Sequence, residues 1–407
     1  MDIYNLYELR WFLINESSST YDLVADIDAS PTNPDNVSYW ETETTYHEGD
    51  WVAYEPLMSI EYVWYCNVVS TTEEPGVGSD WVQMWPSDGW EPIGIDNVVF
   101  DGHHHKITDL YCGSDLGASL FGTVTNSTVR NVHLVNTVVM FGEGTGALAQ
   151  DVRNSTITAC SLHNGYIVGP TYDGNRTGGL IGRIGFRTSS IAGNVTISEC
   201  AVIDTYFNVY MQEGMDLYGF GLLIGWVDPH PDDNIVIRDC CAIGTMEFGK
   251  GEVGPDISRT GGLIGNEDQI EAVDYGVTEI TNCYTAVDFI HDSAEFPGLI
   301  YWSTMTDFDH ERFDTTAVFA DAQIQQSAPS DHAGFGRLTS QMTDIETYTT
   351  GGAAWDMVDT SVHDGQRSTA IWHIDGGREY PQLWYTLDST PVRPRPHHYY
   401  GARPVWM

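Results

Sequence analysis

The segment TGGLIG, residues 260–265, followed by ITNCYTA, residues 280–286, decides how this chain is read. The first part joins glycines to an apolar pair; the second alternates apolar and polar residues up to a cysteine. Both are rich in β-branched residues and bounded by Gly, Asn or Asp, which is strand and turn chemistry. The glycine block recurs as GALAQ from Gly146, GGLIG from Gly178, GLLIG from Gly221 and PGLIY from Pro297, with ASLFG from Ala118 as a degenerate first copy. Successive blocks end at Gly122, Gln150, Gly182, Gly225, Gly265 and Tyr301, in steps of 28, 32, 43, 40 and 36 residues. Such steps suit stacked repeats with loops of variable length, each repeat covering the apolar face of its neighbour.

The second element recurs in step with the first: ITAC ends at Cys160, ISEC at Cys200, IRDC at Cys240 and ITNC at Cys283, while VRNV puts Val132 in the same place. Stacked repeats set these four cysteines in one internal column, where each acts as a small buried hydrophobe. Metal binding is the rival reading, but it needs ligands converging at short spacing, and these cysteines lie about one repeat apart. Cys241 is expected to face the other way from Cys240. Seven cysteines leave at least one unpaired, against an all-disulfide framework.

Charge narrows the setting. The chain of 407 residues carries 58 acidic and 17 basic residues, a formal net charge of −41, and only Lys106 and Lys250 are lysines. A chain so acidic repels nucleic acid and anionic membranes. At about 1 M salt the Debye length falls to roughly 3 Å, and self-repulsion between surface carboxylates is screened. We read the acid excess as halophilic adaptation. No apolar run approaches the roughly 18 residues that span a bilayer, so membrane insertion is not expected. The segment MDIYNLYELRWFLINESSS shows no secretory signal pattern. Asn-x-Ser/Thr sequons stand at Asn15, Asn36, Asn126, Asn154, Asn175 and Asn194.

The glycine and cysteine elements resemble the GLUG-motif family of large surface adhesins, whose repeats read Gly-Gly-Leu-apolar-Gly and then apolar-x-Asn-Cys-Tyr. YDLVADIDAS from Tyr21, WEPIG from Trp90 and FDGHHHKITDL from Phe100 look like the opening repeats of such proteins, and WHIDGGREYPQLW from Trp372 like their closing segment. The resemblance covers roughly residues 1–39 and 90–386. It implies a right-handed parallel β-helix, a solenoid with an extracellular display role, and supplies no catalytic residues.

The interruption between these opening repeats carries a second resemblance. WETETTYHEGDWVAYEP from Trp40 and YVWYCNVVSTTEEPGVGSDWVQMW ending at Trp85 look like the small chitin-binding modules of secreted chitinases. Tyr46, Gly49, Asp50, Val52, Tyr54, Trp64, Pro75, Gly76 and Trp81 meet that pattern, while Val68 and Val69 replace the exposed aromatic pair, which puts chitin as the ligand in doubt. Sugars present C–H faces that stack on open aromatic rings, and a tiny module cannot enclose so many rings by itself. The candidate glycan-binding residues are therefore Trp40, Tyr46, Trp51, Tyr54, Trp81 and Trp85. Tyr46, Trp51, Tyr54 and Trp64 suit a mini-core, which leaves Trp40, Trp81 and Trp85 as the better stacking surfaces.

Other clusters are weaker. His103, His104 and His105 invite a metal reading, but their setting suits a solvated turn opening a strand. VDPHPDD, residues 227–233, offers Asp228, His230, Asp232 and Asp233, and paired carboxylates could serve glycoside hydrolysis, yet acids are everywhere in this chain. Asp26 and Asp28 suit turn caps better than Ca²⁺ ligands. No nucleophile elbow, phosphate loop, HExxH or CxxC pair occurs. No catalytic residue, metal or cofactor is expected.

The expected fold is all-β, a right-handed parallel β-helix with a small inserted β module and helical or irregular end caps. Residues 1–39 form the N-terminal cap and first repeat, 40–89 the inserted module, 90–300 the repeats, 301–390 a C-terminal cap and 391–407 a Pro/Arg-rich tail. Helices are expected in IYNLYELRWFLI from Ile3 and LTSQMTDIETYTT from Leu338. The expected function is that of a virion surface appendage of a halophilic archaeal virus, a tail fibre, spike or capsid-surface protein. It would bind host-surface glycan or glycoprotein, contact other virion proteins and assemble as a homotrimer. The alternatives are a cell-surface adhesin of a halophilic archaeon and a polysaccharide depolymerase.

Overall fold

The computed structural model describes residues 1–55, 62–86, 89–113, 117–140, 142, 144–170, 176–185, 193–210, 218–227, 232–248, 259–267, 277–291, 313–321, 336–350, 354–360, 370–375 and 378–386. The PGLIY block from Pro297, Asp228, His230, Asn175 and the segment from Pro391 lie outside them.

Among the described residues the protein is sheet-rich, with few and short helices. Sheet I has nine strands, from Asp2–Ile3 through Thr20–Leu23, Val99–Asp101, Thr128–Arg130, Thr156–Thr158, Asn194–Ser198, Asn234–Arg238 and Val277–Thr281 to Phe313–Thr316. Sheet III has six, running Ile93–Asp96, Phe121–Thr125, Ala149–Arg153, Ile181–Ile184, Ile224–Val227 and Ile264–Glu267. Sheet II has twelve: a main path from Ile27–Asp28 to Gly336–Arg337 and a side branch of Tyr111–Cys112, Val138–Met140 and Tyr166–Pro170. Neighbouring strands along these paths run parallel, for example Val129 pairs with Ile157, Ile157 with Ile197, and Ile237 with Ile280. Strands adjacent in space are therefore one repeat apart in sequence. That row of Val and Ile is fully buried, as aliphatic β-branched residues are when a parallel sheet is covered.

The cysteine column is present. Cys160, Cys200, Cys240 and Cys283 are each fully buried, and the backbone links Ala201 N to Cys160 O, Cys241 N to Cys200 O and Tyr284 N to Cys240 O at 3.0, 3.0 and 3.1 Å. Phe319 N to Cys283 O at 3.0 Å extends the column to Val318. All seven cysteines are free thiols, and burial pushes those of Cys160, Cys200 and Cys240 up. Cys241 lies in a different apolar cluster from Cys240, on the outward side of sheet II.

Two local devices make the stacking possible. The first is at the corners, where one residue per repeat takes a left-handed conformation: Asn97, Asn126 and Asn154 between sheets III and I, Asn131, Ala159, Glu199, Asp239, Asn282 and Ala317 between sheets I and II, with φ from +42° to +56°. Asn and Asp tolerate this region best because their short side chains bond locally. Here the amides also join layers, Asn126 Nδ2 to Asp96 Oδ1 at 2.9 Å and Asn282 Nδ2 to Asp239 Oδ1 at 3.1 Å. The second is close approach in the glycine blocks. A Cβ on Gly221 would overlap the carbonyl oxygen of Ile224 and the backbone nitrogen of Gly265.

Within sheet II a third corner, at Asp109, Asn136, Asn164 and Asp204, fades along the chain. Four residues separate Ser161 from Tyr166, but only three separate Cys241 from Thr245, and the registers align these positions. Ala201–Tyr210 is already one strand although Asp204 keeps its positive φ, and the single strands Cys241–Phe248 and Tyr284–His291 follow it without a corner residue.

The expected boundary at residue 300 is too early. Phe313–Thr316 and Phe319–Asp321 continue sheets I and II. Beyond them, Tyr348, Trp355, Trp372 and Tyr380 pack with Tyr284, Cys241 and Ile243 on the outward side of sheet II. The helix expected from Leu338 is instead two single turns, Thr339–Met342 and Glu346–Thr349. Asp344, whose side chain accepts from Glu346 N at 3.0 Å, caps a second start between them. The expected N-terminal helix forms over Leu6–Asn15, capped by the Asn5 side chain on Glu8 N at 2.9 Å.

Candidate functional site

The module is an antiparallel sheet of Trp51–Tyr54, Tyr62–Cys66 and Trp81–Pro86. It leaves sheet II after Ile27–Asp28 and returns before Val99–Asp101, which still pairs with Thr20–Leu23. Strand alternation sorts its rings onto two faces. Trp51, Tyr65 and Trp85 share one and meet the N-terminal helix: Tyr7 stacks on Tyr65 at 4.4 Å, Trp51 on Trp85 at 5.2 Å, and Trp85 meets Trp90 at 5.9 Å. Arg10 lies 5.8 Å from the Trp85 ring and 5.6 Å from Trp90, with Nη2 donating to Glu91 at 2.7 Å. Burial pushes the Arg10 guanidinium down, and Glu91 opposes that.

Tyr54, Tyr62, Trp64 and Trp81 occupy the other face, beneath residues 40–50. Trp40 meets Tyr54 edge-on at 5.6 Å and Tyr46 meets Trp81 at 5.3 Å. Trp81 Nε1 donates to Glu73 O at 2.9 Å. Gly49, at φ +100°, makes the turn that lets Asp50 accept from His47 N at 2.7 Å, and the Pro75-Gly76 turn lies on the Trp64 ring. The motif residues Gly49, Asp50, Val52, Trp64 and Gly76 thus have structural work in turns and core.

This geometry corrects the ranking of the rings. Trp85 is 0% exposed and Trp81 5%; enclosed on both faces, they offer a sugar no surface. Trp51 is half-buried, with its ring against Trp85 and Tyr65. Trp40, Tyr46 and Tyr54 are half-buried at the rim of the second face, together with Tyr62. Tyr54 also hydrogen-bonds Glu74. Tyr39, bridged to Ala53, is 63% exposed at the sheet edge. The open rings are thus Trp40, Tyr46, Tyr54 and Tyr62, with Tyr39 apart from them. Tyr62 and Tyr39 were missed. The alternation in WVAY and YVWYC separates the two faces, but not which one the N-terminal helix covers.

The histidine turn is less solvated than expected. His103 and His104 both take positive φ, +47° and +62°. His103 Nε2 lies 3.0 Å from Asp22 Oδ1, and His105 Nδ1 lies 3.1 Å from Asp26 Oδ1. Asp22, Asp101 and His103 bring one ligand atom each within 4.8 Å of one another. Asp101 is already held by Arg130 Nε at 2.7 Å, Asn131 Nδ2 at 2.8 Å and His103 N at 2.9 Å, and the Met1 ammonium is 3.7 Å from Asp22. Burial raises the Asp101 carboxyl, but these donors outweigh it and hold it below the usual range. The arrangement is a neutralised corner.

His104 turns to the outward side of sheet II: its Nδ1 lies 3.0 Å from His133 Nε2, and His133 Nδ1 lies 2.8 Å from Ser161 Oγ. Tyr385 stacks on His133 at 4.9 Å, Trp384 meets His104 at 4.8 Å, and Tyr385 Oη donates to the Glu199 carbonyl. Burial, then neighbouring His104, pushes His133 down to about 3, and burial lowers His104. This latch joins residues far apart in sequence, so no local pattern announces it. Asp28 caps its turn, accepting from Ser30 N at 2.9 Å, whereas Asp26 does not cap its own turn and accepts from Lys106 N in the next layer at 2.9 Å. Of the VDPHPDD acids, Asp232 is exposed and Asp233 accepts from Gly193 N.

No family model, curated protein or solved structure matches the chain.

Proposed function

We propose that the chain is a right-handed parallel β-helix that displays a glycan-binding module on a virion of a halophilic archaeal virus, as a tail fibre, spike or capsid-surface protein. The observation that carries this reading is the way the module is inserted. Residues 40–89 depart after the first layer, yet Thr20 still pairs with Val99 and Ile27 with Ile107. A scaffold that keeps its register across an insertion gives a rigid base to a part that contacts something else. One strand per repeat in each parallel sheet, and left-handed corners between sheets, support the coil. The charge of −41 supports a saline setting.

Trp40 and Tyr54 form the centre of the proposed sugar platform, with Tyr46 and Tyr62 beside them. Host-envelope glycan is the partner, other virion proteins hold the base, and the assembly is a homotrimer. The test is a glycan array in molar KCl with wild type, Trp40→Ala and Tyr54→Ala. Loss of about tenfold in affinity for each variant, with unchanged melting, is expected; equal binding by all three overturns the platform. Mass measurement in the same buffer should give a trimer, and a strict monomer counts against the appendage. Release of new reducing ends from host exopolysaccharide would replace display by depolymerisation.

A further inference from the structure

The outward side of sheet II divides into two unlike parts. On the main branch, Ala201, Ile203, Cys241 and Ile243 lie beneath the aromatic cap of Tyr348, Trp355 and Trp372. On the side branch and its continuation, registers set one outward row as Val138, Tyr166, Tyr206 and Thr245, and the next as Met140, Val168, Asn208 and Glu247. The residues between them, Val139, Ile167, Phe207 and Met246, are buried, which fixes the two rows as outward. The Tyr166 and Tyr206 planes lie 2° apart with centroids at 5.8 Å. Aromatic atoms in contact sit about 3.5–4.0 Å apart, so this spacing leaves part of each ring face uncovered by the other. Asn208 Nδ2 donates to Tyr166 Oη at 3.2 Å, and Tyr206 Oη hydrogen-bonds the Glu247 carboxylate.

Sheet I shows that an outer parallel face of this chain needs no aromatics. Its corresponding rows are Thr128, Thr156, Thr196 and Val236, then Arg130, Thr158, Ser198 and Arg238. Rings, hydroxyls, an amide and a carboxylate gathered in adjoining rows are instead the groups that meet a sugar, the ring face against C–H and the polar atoms against hydroxyls. The charged group of these rows is Glu247, so a carboxylate of an anionic chain laid on them would lose its water against another carboxylate with no counter-charge in either row. Layers repeat at about 4.8 Å, close to the rise of one residue in an extended pyranose chain. The strip begins beside the point where the module rejoins the stack: Trp90 N donates to Tyr111 O at 2.9 Å, and Tyr111 pairs with Val138.

We infer that this strip, centred on Tyr166, Tyr206 and Asn208, binds a neutral, extended polysaccharide chain running along the stacking direction. The inference rests on the glycan-display reading and adds a contact surface on the stack itself. The test is calorimetric titration of the full chain in molar KCl with cellohexaose, chitohexaose and a polygalacturonate hexamer. Wild type should bind a neutral hexamer and not the polygalacturonate. The Tyr166→Thr/Tyr206→Thr double variant, using the residue that sheet I carries, should lose at least tenfold in affinity with its melting temperature unchanged. Should that variant fail to fold, Asn208→Ala should lose about threefold. Unchanged affinity in the folded variants overturns the strip. If Trp40→Ala abolishes binding while the strip variants do not, the strip falls and the display reading stands. If wild type binds neither neutral hexamer, the strip falls, and the display reading stands or falls on the glycan array.

Discussion

The inserted module and the layered stack each bury a sheet face, but with different side chains. In the stack a row such as Val129, Ile157, Ile197, Ile237 and Ile280 is closed by the next identical row. In the module large rings do the work, and one face is closed by parts from elsewhere, the helix Leu6–Asn15 and Trp90. Repetition spreads stability over many equivalent small contacts, whereas the module concentrates it in a few rings.

The largest expected effect lies in the module. Trp85→Ala should cost about 3–5 kcal/mol, as for other fully buried tryptophans, read as a lowered denaturation midpoint in molar KCl. If it proves neutral, Trp85 is not the link between helix and module that its ring contacts describe. Next comes the stack. Gly221→Ala should cost about 1–3 kcal/mol, since its new methyl meets backbone of two layers that cannot rotate away; tolerance of alanine there would show that adjacent layers slide freely.

The smallest effect concerns the latch between the C-terminal segment and the stack. The folded-state pKa of His133 is about 3, below the ordinary value of about 6.5. The unfolded chain therefore binds the proton first. The contribution is complete above about pH 6.5 and is lost progressively as pH falls from there towards 3. By linkage this reaches about 2 kcal/mol at pH 5. Asp26 and Asp101, held below the usual carboxylate range, act in the same direction only at lower pH. Melting temperatures between pH 7 and pH 5 should fall for wild type and fall less steeply for His133→Gln, in which His163, pushed down to about 4 by burial, keeps its own share of the slope; parallel slopes would remove His133 as a cause.

The same contrast explains what could be read without coordinates. Glycine blocks and the cysteine column recur, so each copy testifies to the environment of the others, and Val132 found its place in the column from spacing alone. Nothing recurs in the module. There, Trp81 and Trp85 read as the most exposed rings and are the most enclosed, because a single alternating strand states that it has two faces and not what covers either. The helix expected from Leu338 failed for a related reason: its periodicity was present, but Asp344 offered the backbone a second cap.

By itself, the sequence determined the strand chemistry, the repeat, the inward column of thiols and the acid excess, since each depends on local residue type or on spacing that every repeat restates. Only the tertiary structure decided which rings remain open, that His104 meets His133 and Tyr385, and that the second outward face of sheet II carries paired tyrosines. Those outcomes turn on which surfaces, distant along the chain, come to lie against one another, and burial is a property of that contact.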